Sequence, residues 1–124
     1  MSVLGLNAHR FFDYALVAVF AVAPMVLGMG GLAGVAAYVI AAGHLALSLF
    51  TGRGVGPVPW ILPTTHAVVE AVLGVSILAL SWLLLDVGDV GQAFYPIVGV
   101  IILLLWLVTD YVGIQPSNST MTSR

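Results

Sequence analysis

Cysteine is absent from this chain and charge is nearly so: three arginines, no lysine and five acidic residues amount to 6% of 124 positions. Without cysteine there is no disulfide, no thiolate metal centre and no cysteine nucleophile. A soluble domain keeps about a quarter of its residues charged to cover its surface, so a chain this poor in charge cannot face water on all sides. There is no basic run and the net charge is −2, which excludes the electrostatic footprint of a nucleic-acid binder. A nucleophile elbow, a phosphate-binding glycine loop and a His-Glu-x-x-His zinc motif are equally missing, and the reading is accordingly that the protein is not an enzyme.

What is present is apolar. Hydrophobic residues make up 61% of the chain and the mean hydropathy is +1.17, which makes the lipid bilayer its first partner. A helix crossing the hydrocarbon core needs about 20 mostly apolar residues, and four stretches qualify: Arg10 to Gly28, Leu32 to Phe50, Thr65 to Leu85 and Ala93 to Ile114. Glycine and proline break them apart, at Gly28 to Gly34 and Gly52 to Pro63, and the polar segment Asp86 to Gln92 forms the third break. Asn7 and Thr64 are placed to cap the first and third spans. The expected fold is all-α, a four-transmembrane-helix bundle in one domain over residues 1–114, followed by a polar tail over 115–124.

Arg10, Arg53 and Arg124 all fall on one side of this map, and the loops of the other side carry no basic residue. The positive-inside rule then puts both termini in the cytoplasm. Ala21-Val22-Ala23 resembles a leader cleavage site, but Asp13 interrupts the apolar stretch and Pro24 would follow the cut. The glycosylation pattern Asn118-Ser119-Thr120 falls on the cytoplasmic side and reads as part of the tail.

Sliding the chain against itself by about 57 residues brings Asn7 onto Thr64, His9 onto His66, Asp13 onto Glu70 and Pro24-Met25 onto Ser81-Trp82. One further residue of offset brings Leu45, Leu47, Leu49 and Thr51 onto Leu103, Leu105, Leu107 and Thr109. Leucine matches between apolar helices are cheap, whereas histidine and carboxylate matches are not. The bundle therefore reads as two similar helix hairpins, over residues 7–51 and 64–111, related by an axis along the membrane normal. Two such repeats, with Ala23-Pro24-Met25 and Leu80-Ser81-Trp82 near the ends of their first helices and Thr109-Asp110-Tyr111 closing the second copy, resemble the SPW-repeat family of small integral membrane proteins. The first motif keeps only the proline of Ser-Pro-Trp and the second lacks it. The resemblance implies a four-helix membrane protein and brings no activity with it.

The ionisable residues are the unusual part. Residues four apart share a helix face, so His9 and Asp13 point the same way on the first helix, as do His66 and Glu70 on the third. Asp110 sits near the same boundary as Arg10, and His44 lies about two turns, or roughly 10 Å, inward of Thr51. Bundling would let His9, Asp13, His44, His66, Glu70 and Asp110 converge in the cytoplasmic half, with His44 and Glu70 as the most informative pair by depth. A charge deep in lipid normally faces the bundle interior and has a partner. Histidine titrates near neutral pH and imidazole with carboxylate suits zinc, iron or copper, so the set reads as a proton or cation path, or as a metal or haem site. The bland alternative is a group of hydrogen-bonded pairs that fix helix register, with Asp13 neutralised by Arg10, Asp110 by Arg53, and His9 and His66 snorkelling to the headgroups.

Of the remaining features, Pro24 is expected to kink the first helix near Phe20. Trp60, Trp82, Trp106, Tyr95 and Tyr111 read as interfacial anchors. The small residues of the second helix, from Ala36 to Ala46, suggest a central position, and the bulky fourth helix a lipid-facing one. The loop Gly52 to Pro63 is expected to lie in the headgroup layer. The first functional reading is a noncatalytic membrane scaffold or accessory subunit in a homo-oligomer or larger membrane complex; the second is a proton-coupled transporter or cation channel, and the third a metal- or haem-binding protein.

Overall fold

Four helices form the described part of the chain in the computed structural model, which describes residues 4–52, 55–83 and 88–111. They are α1 (Leu6–Leu27), α2 (Gly31–Leu49), α3 (Pro63–Leu83) and α4 (Gly88–Val108). Each is long and apolar enough to cross a membrane, and together they form the expected all-α four-helix bundle. Arg53, Asp86 and the tail from residue 112 onward, with Ile114, the Asn118 pattern and Arg124, lie outside the described residues.

Hydropathy locates the spans but not their ends. α1 begins at Leu6, ahead of the expected Arg10, and so takes in Asn7 and His9; hydropathy sees only the stretch that tolerates lipid, while backbone hydrogen bonding carries a helix on past it. For the same reason Asn7 is no cap. The N-cap of α1 is Gly5, with no side-chain bond, and Thr64 lies inside α3, whose first residue is Pro63. Proline fits there because its missing N–H is one of the donors a first turn leaves unused. α4 starts earlier than expected, at Gly88, and encloses Pro96, a second interior proline.

The turn between α1 and α2 depends on glycine. Gly28 and Gly31 have φ of 66° and 55°, a left-handed conformation that other L residues adopt at a cost. The N–H groups of Gly28 and Met29 both return to the carbonyl of Pro24, so this proline sits in the last turn of α1 and its carbonyl helps close the helix.

Backbone packing is closest within the hairpins, α1 with α2 and α3 with α4. α3 and α4 approach through Gly74 and Gly99; a methyl on Gly99 would stand 2.8 Å from the backbone nitrogen of Leu78. Each helix turns one stripe inward: His9, Asp13, Leu16, Phe20 and Ala23 on α1; Ala33, Ala37, Ala41, His44 and Ser48 on α2; His66, Glu70 and Ile77 on α3; Tyr95, Val98 and Ile102 on α4. The interior is apolar at the α1–α2 turn and polar at the opposite end. α2 is not the central helix, because Ala42, Gly43 and Ala46 face outward and its buried share equals that of α3. Trp60, Trp82 and Trp106 are exposed, as anchors should be, but Tyr95 and Tyr111 are buried. Tyr95 donates its hydroxyl proton to the Ala33 carbonyl and ties α4 to α2; an internal acceptor makes a buried phenol affordable in lipid.

The hairpins are stitched to each other at the polar end by backbone. Leu4, ahead of α1, pairs with Thr109 after α4, and Ile61, ahead of α3, pairs with Thr51 after α2. Leu4 N–H bonds the Val108 carbonyl at 2.8 Å and Ile61 N–H bonds the Phe50 carbonyl at 2.7 Å, which satisfies carbonyls that a helix end otherwise leaves open. Val55 is buried beneath this seam and its carbonyl accepts the Tyr14 hydroxyl at 3.1 Å, whereas Trp60 is exposed and stacks on Phe50 at a centroid distance of 5.1 Å. The loop is thus part lid and part surface.

Candidate functional site

The polar ends of the inward stripes meet at one place. His9 and Asp13 reach it from α1, His44 from α2, His66 and Glu70 from α3, and Tyr111 from the segment after α4. His9, Asp13, His44, His66 and Glu70 are each 0 or 1% exposed. The histidines do not snorkel; they are buried within the bundle among polar partners.

Two threonines decide what the histidines can do. Thr109 Oγ1 donates its only proton to the Leu105 carbonyl at 2.6 Å, so toward His9 Nδ1, 2.7 Å away, it can only accept. Thr51 does the same in the other hairpin, donating to the Leu47 carbonyl at 2.6 Å and accepting from His66 Nδ1 at 2.7 Å. Both imidazoles therefore carry a proton on Nδ1 and turn Nε2 inward. Each link also crosses between hairpins, since His9 of the first is held by a residue that closes the second and His66 of the second by one that closes the first.

The carboxylates sit where the two Nε2 atoms point. His9 Nε2 is 3.0 Å from Asp13 Oδ1 and 3.2 Å from Glu70 Oε2. His66 Nε2 is 3.4 Å from Asp13 Oδ2 and 3.8 Å from Glu70 Oε2. One ligand-type atom from each of these residues lies within 4.8 Å of the others. Several of the atoms lack a hydrogen-bond partner despite burial: His66 Nε2, Asp13 Oδ2 and Glu70 Oε1 among them, with His44 Nδ1 and Ser48 Oγ nearby on α2. A buried polar atom left unpaired costs about 1–3 kcal/mol, and two of these, His66 Nε2 and Asp13 Oδ2, face each other at 3.4 Å.

The pairings differ from the sequence expectation in detail. His44 joins Asp13, its Nε2 lying 3.4 Å from Oδ1, and Glu70 is held by His9 and Tyr111. Asp13 has imidazoles as its close neighbours, from histidines on three different helices. Asp110 stands beside the site, half-buried, and its backbone N–H bonds the Leu4 carbonyl at 2.9 Å; it is not one of the four convergent ligand-type residues. Thr51 and Thr109 are visible in the sequence only as a match between the two halves, and Tyr111 carries no signal beyond its aromatic ring. A haem does not fit between His9 and His66, because both carboxylates occupy the space their Nε2 atoms face and a porphyrin needs apolar walls there.

The fold and composition define a small integral membrane protein with a buried cluster of histidine and carboxylate. Comparison with family models, with curated proteins and with solved structures finds no match.

Proposed function

We propose that this chain is a noncatalytic integral membrane protein that holds one transition-metal ion, zinc or iron by its donor set, between His9, Asp13, His66 and Glu70. The observation that supports it most is the inward turn of His9 Nε2 and His66 Nε2 onto the two carboxylates, fixed by Thr109 and Thr51, with His66 Nε2 and Asp13 Oδ2 both unpaired 3.4 Å apart. Lone pair against lone pair is repulsive unless a cation lies between. Protons would answer the charge, but a proton on His66 Nε2 would find no aligned acceptor, whereas a metal ion asks only for distance. For bonds of about 2.1 Å, neighbouring ligand atoms stand about 3.0 Å apart in an octahedron and about 3.4 Å in a tetrahedron, and the separations of 3.0–3.8 Å between imidazole and carboxylate fall close to that range. A histidine whose second nitrogen donates to a fixed oxygen is the usual outer support of a metal ligand. Two carboxylates against a divalent ion leave the site neutral, which a low-dielectric interior demands.

The protein purified in detergent is expected to take up one equivalent of zinc per chain, and cobalt(II) in its place to give the intense visible absorption of a tetrahedral centre. A folded sample that takes up neither ion rejects the reading and returns the cluster to proton chemistry. Thr51→Val and Thr109→Val each remove an imidazole's fixed acceptor without changing side-chain volume, and each is expected to weaken zinc binding by about 10–100-fold, with serine restoring most of it; competition against a chelator reads the change.

Three further parts of the proposal rest on the sequence. Both termini face the cytoplasm, by the placement of the arginines. The chain arose by duplication and is related to the SPW-repeat proteins; the equivalent roles of Thr51 toward His66 and Thr109 toward His9 agree with duplication. The apolar outer faces serve lipid and a homo-oligomer or larger membrane complex.

A further inference from the structure

The metal reading leaves Tyr111 unused, although its hydroxyl reaches two of the ligand residues. Its hydroxyl donates to Glu70 Oε2 and lies 3.4 Å from His9 Nε2, so the phenol oxygen touches two of the four ligand residues. The residue is 8% exposed and comes from the short segment that Leu4 holds against the end of α4. The ring stands edge-on to His9 at a centroid distance of 5.2 Å, with its oxygen turned to the site.

We infer that Tyr111 is a fifth ligand, joining the site as phenolate when the ion is trivalent, and that ferric iron is the ion this donor set takes. The inference rests on the metal reading above. Charge is the reason. Asp13 and Glu70 neutralise a divalent ion, and Tyr111 then stays a phenol bonded to Glu70. A trivalent ion leaves one positive charge uncompensated in an apolar interior, and losing the Tyr111 proton cancels it. The step balances simply: the phenol O–H breaks, an iron–oxygen bond forms, the proton leaves to the buffer and the iron stays ferric throughout. Three anionic oxygens with two imidazoles are also a hard donor set of the kind a ferric ion prefers over softer alternatives.

The test is a titration of the purified protein with ferric nitrilotriacetate, beside a zinc titration of the same sample. Expected is one iron per chain and a broad phenolate-to-iron charge-transfer band in the visible, lost in Tyr111→Phe. The band is kept in Tyr14→Phe, whose hydroxyl bonds the Val55 carbonyl away from the site. Iron bound without the band, or a band that persists in Tyr111→Phe, overturns the role of Tyr111 while leaving the metal site standing. A folded protein that takes up neither zinc nor iron overturns both.

Discussion

Asp13→Asn is expected to abolish stoichiometric metal uptake while leaving the bundle folded. Asp13 is the hub of the site: Oδ1 lies 3.0 Å from His9 Nε2 and 3.4 Å from His44 Nε2, and Oδ2 lies 3.4 Å from His66 Nε2. Asparagine keeps the shape but turns one oxygen into an NH2 group that points two protons at a ligand position, and it removes one of the two charges that balance a divalent ion. Changes in outer support cost metal sites about 10–100-fold in affinity, so a ligand with this many neighbours should cost at least the upper end of that range. The same amide can donate to the unprotonated imidazole nitrogens, so the metal-free variant gains hydrogen bonds that the carboxylate cannot make. Zinc retention against a chelator and the melting curve in detergent should therefore part company, the first falling and the second holding. Unchanged zinc retention in Asp13→Asn would remove Asp13 from the site.

Gly99→Ala is expected to lower stability by about 1–3 kcal/mol, the usual cost of forcing an extra methyl into a packed interior, and Gly99→Val by more. The added carbon would meet Leu78 N at 2.8 Å, Leu78 Cα at 3.0 Å and the Gly74 carbonyl at 3.2 Å. These are backbone atoms, and no rotamer change removes them from the path. The helices must separate, and the loss is of close van der Waals contact, which is the principal attraction between helices where lipid offers no hydrophobic drive. Gly43 supplies the comparison: a methyl added there would meet nothing within 4 Å, so Gly43→Ala should be neutral or slightly stabilising through helix propensity. Thermal unfolding in detergent followed by circular dichroism reads both variants. Equal melting temperatures for Gly99→Ala and the parent would mean that α3 and α4 do not rely on that approach.

The cluster is legible in the sequence for a simple reason. A polar side chain in an apolar helix is rare enough to be noticed singly, and the spacing of four between His9 and Asp13 and between His66 and Glu70 puts each pair on one face. The match between the two halves then suggests that the pairs share a depth. Partner choice is not legible. Depth along the sequence singles out His44 with Glu70, but rotation of the helices about their axes sets His44 against Asp13 and Glu70 against His9 and Tyr111. Nor can a run of small residues in α2 say which of them face inward, because alanine and glycine suit both lipid and a close helix neighbour; Ala37 is buried while Ala42 and Gly43 are exposed.

By itself the sequence determined the solvent, the number of crossings and the residues that would have to find partners, since each of these follows from the free energy of placing one side chain in lipid. Only the tertiary structure decided where Thr51, Thr109 and Tyr111 belong. Their roles depend on which end of which helix lies beside which imidazole, and that is settled by packing between segments about a hundred residues apart in the chain for His9 and its partners, a distance over which composition and periodicity carry no information.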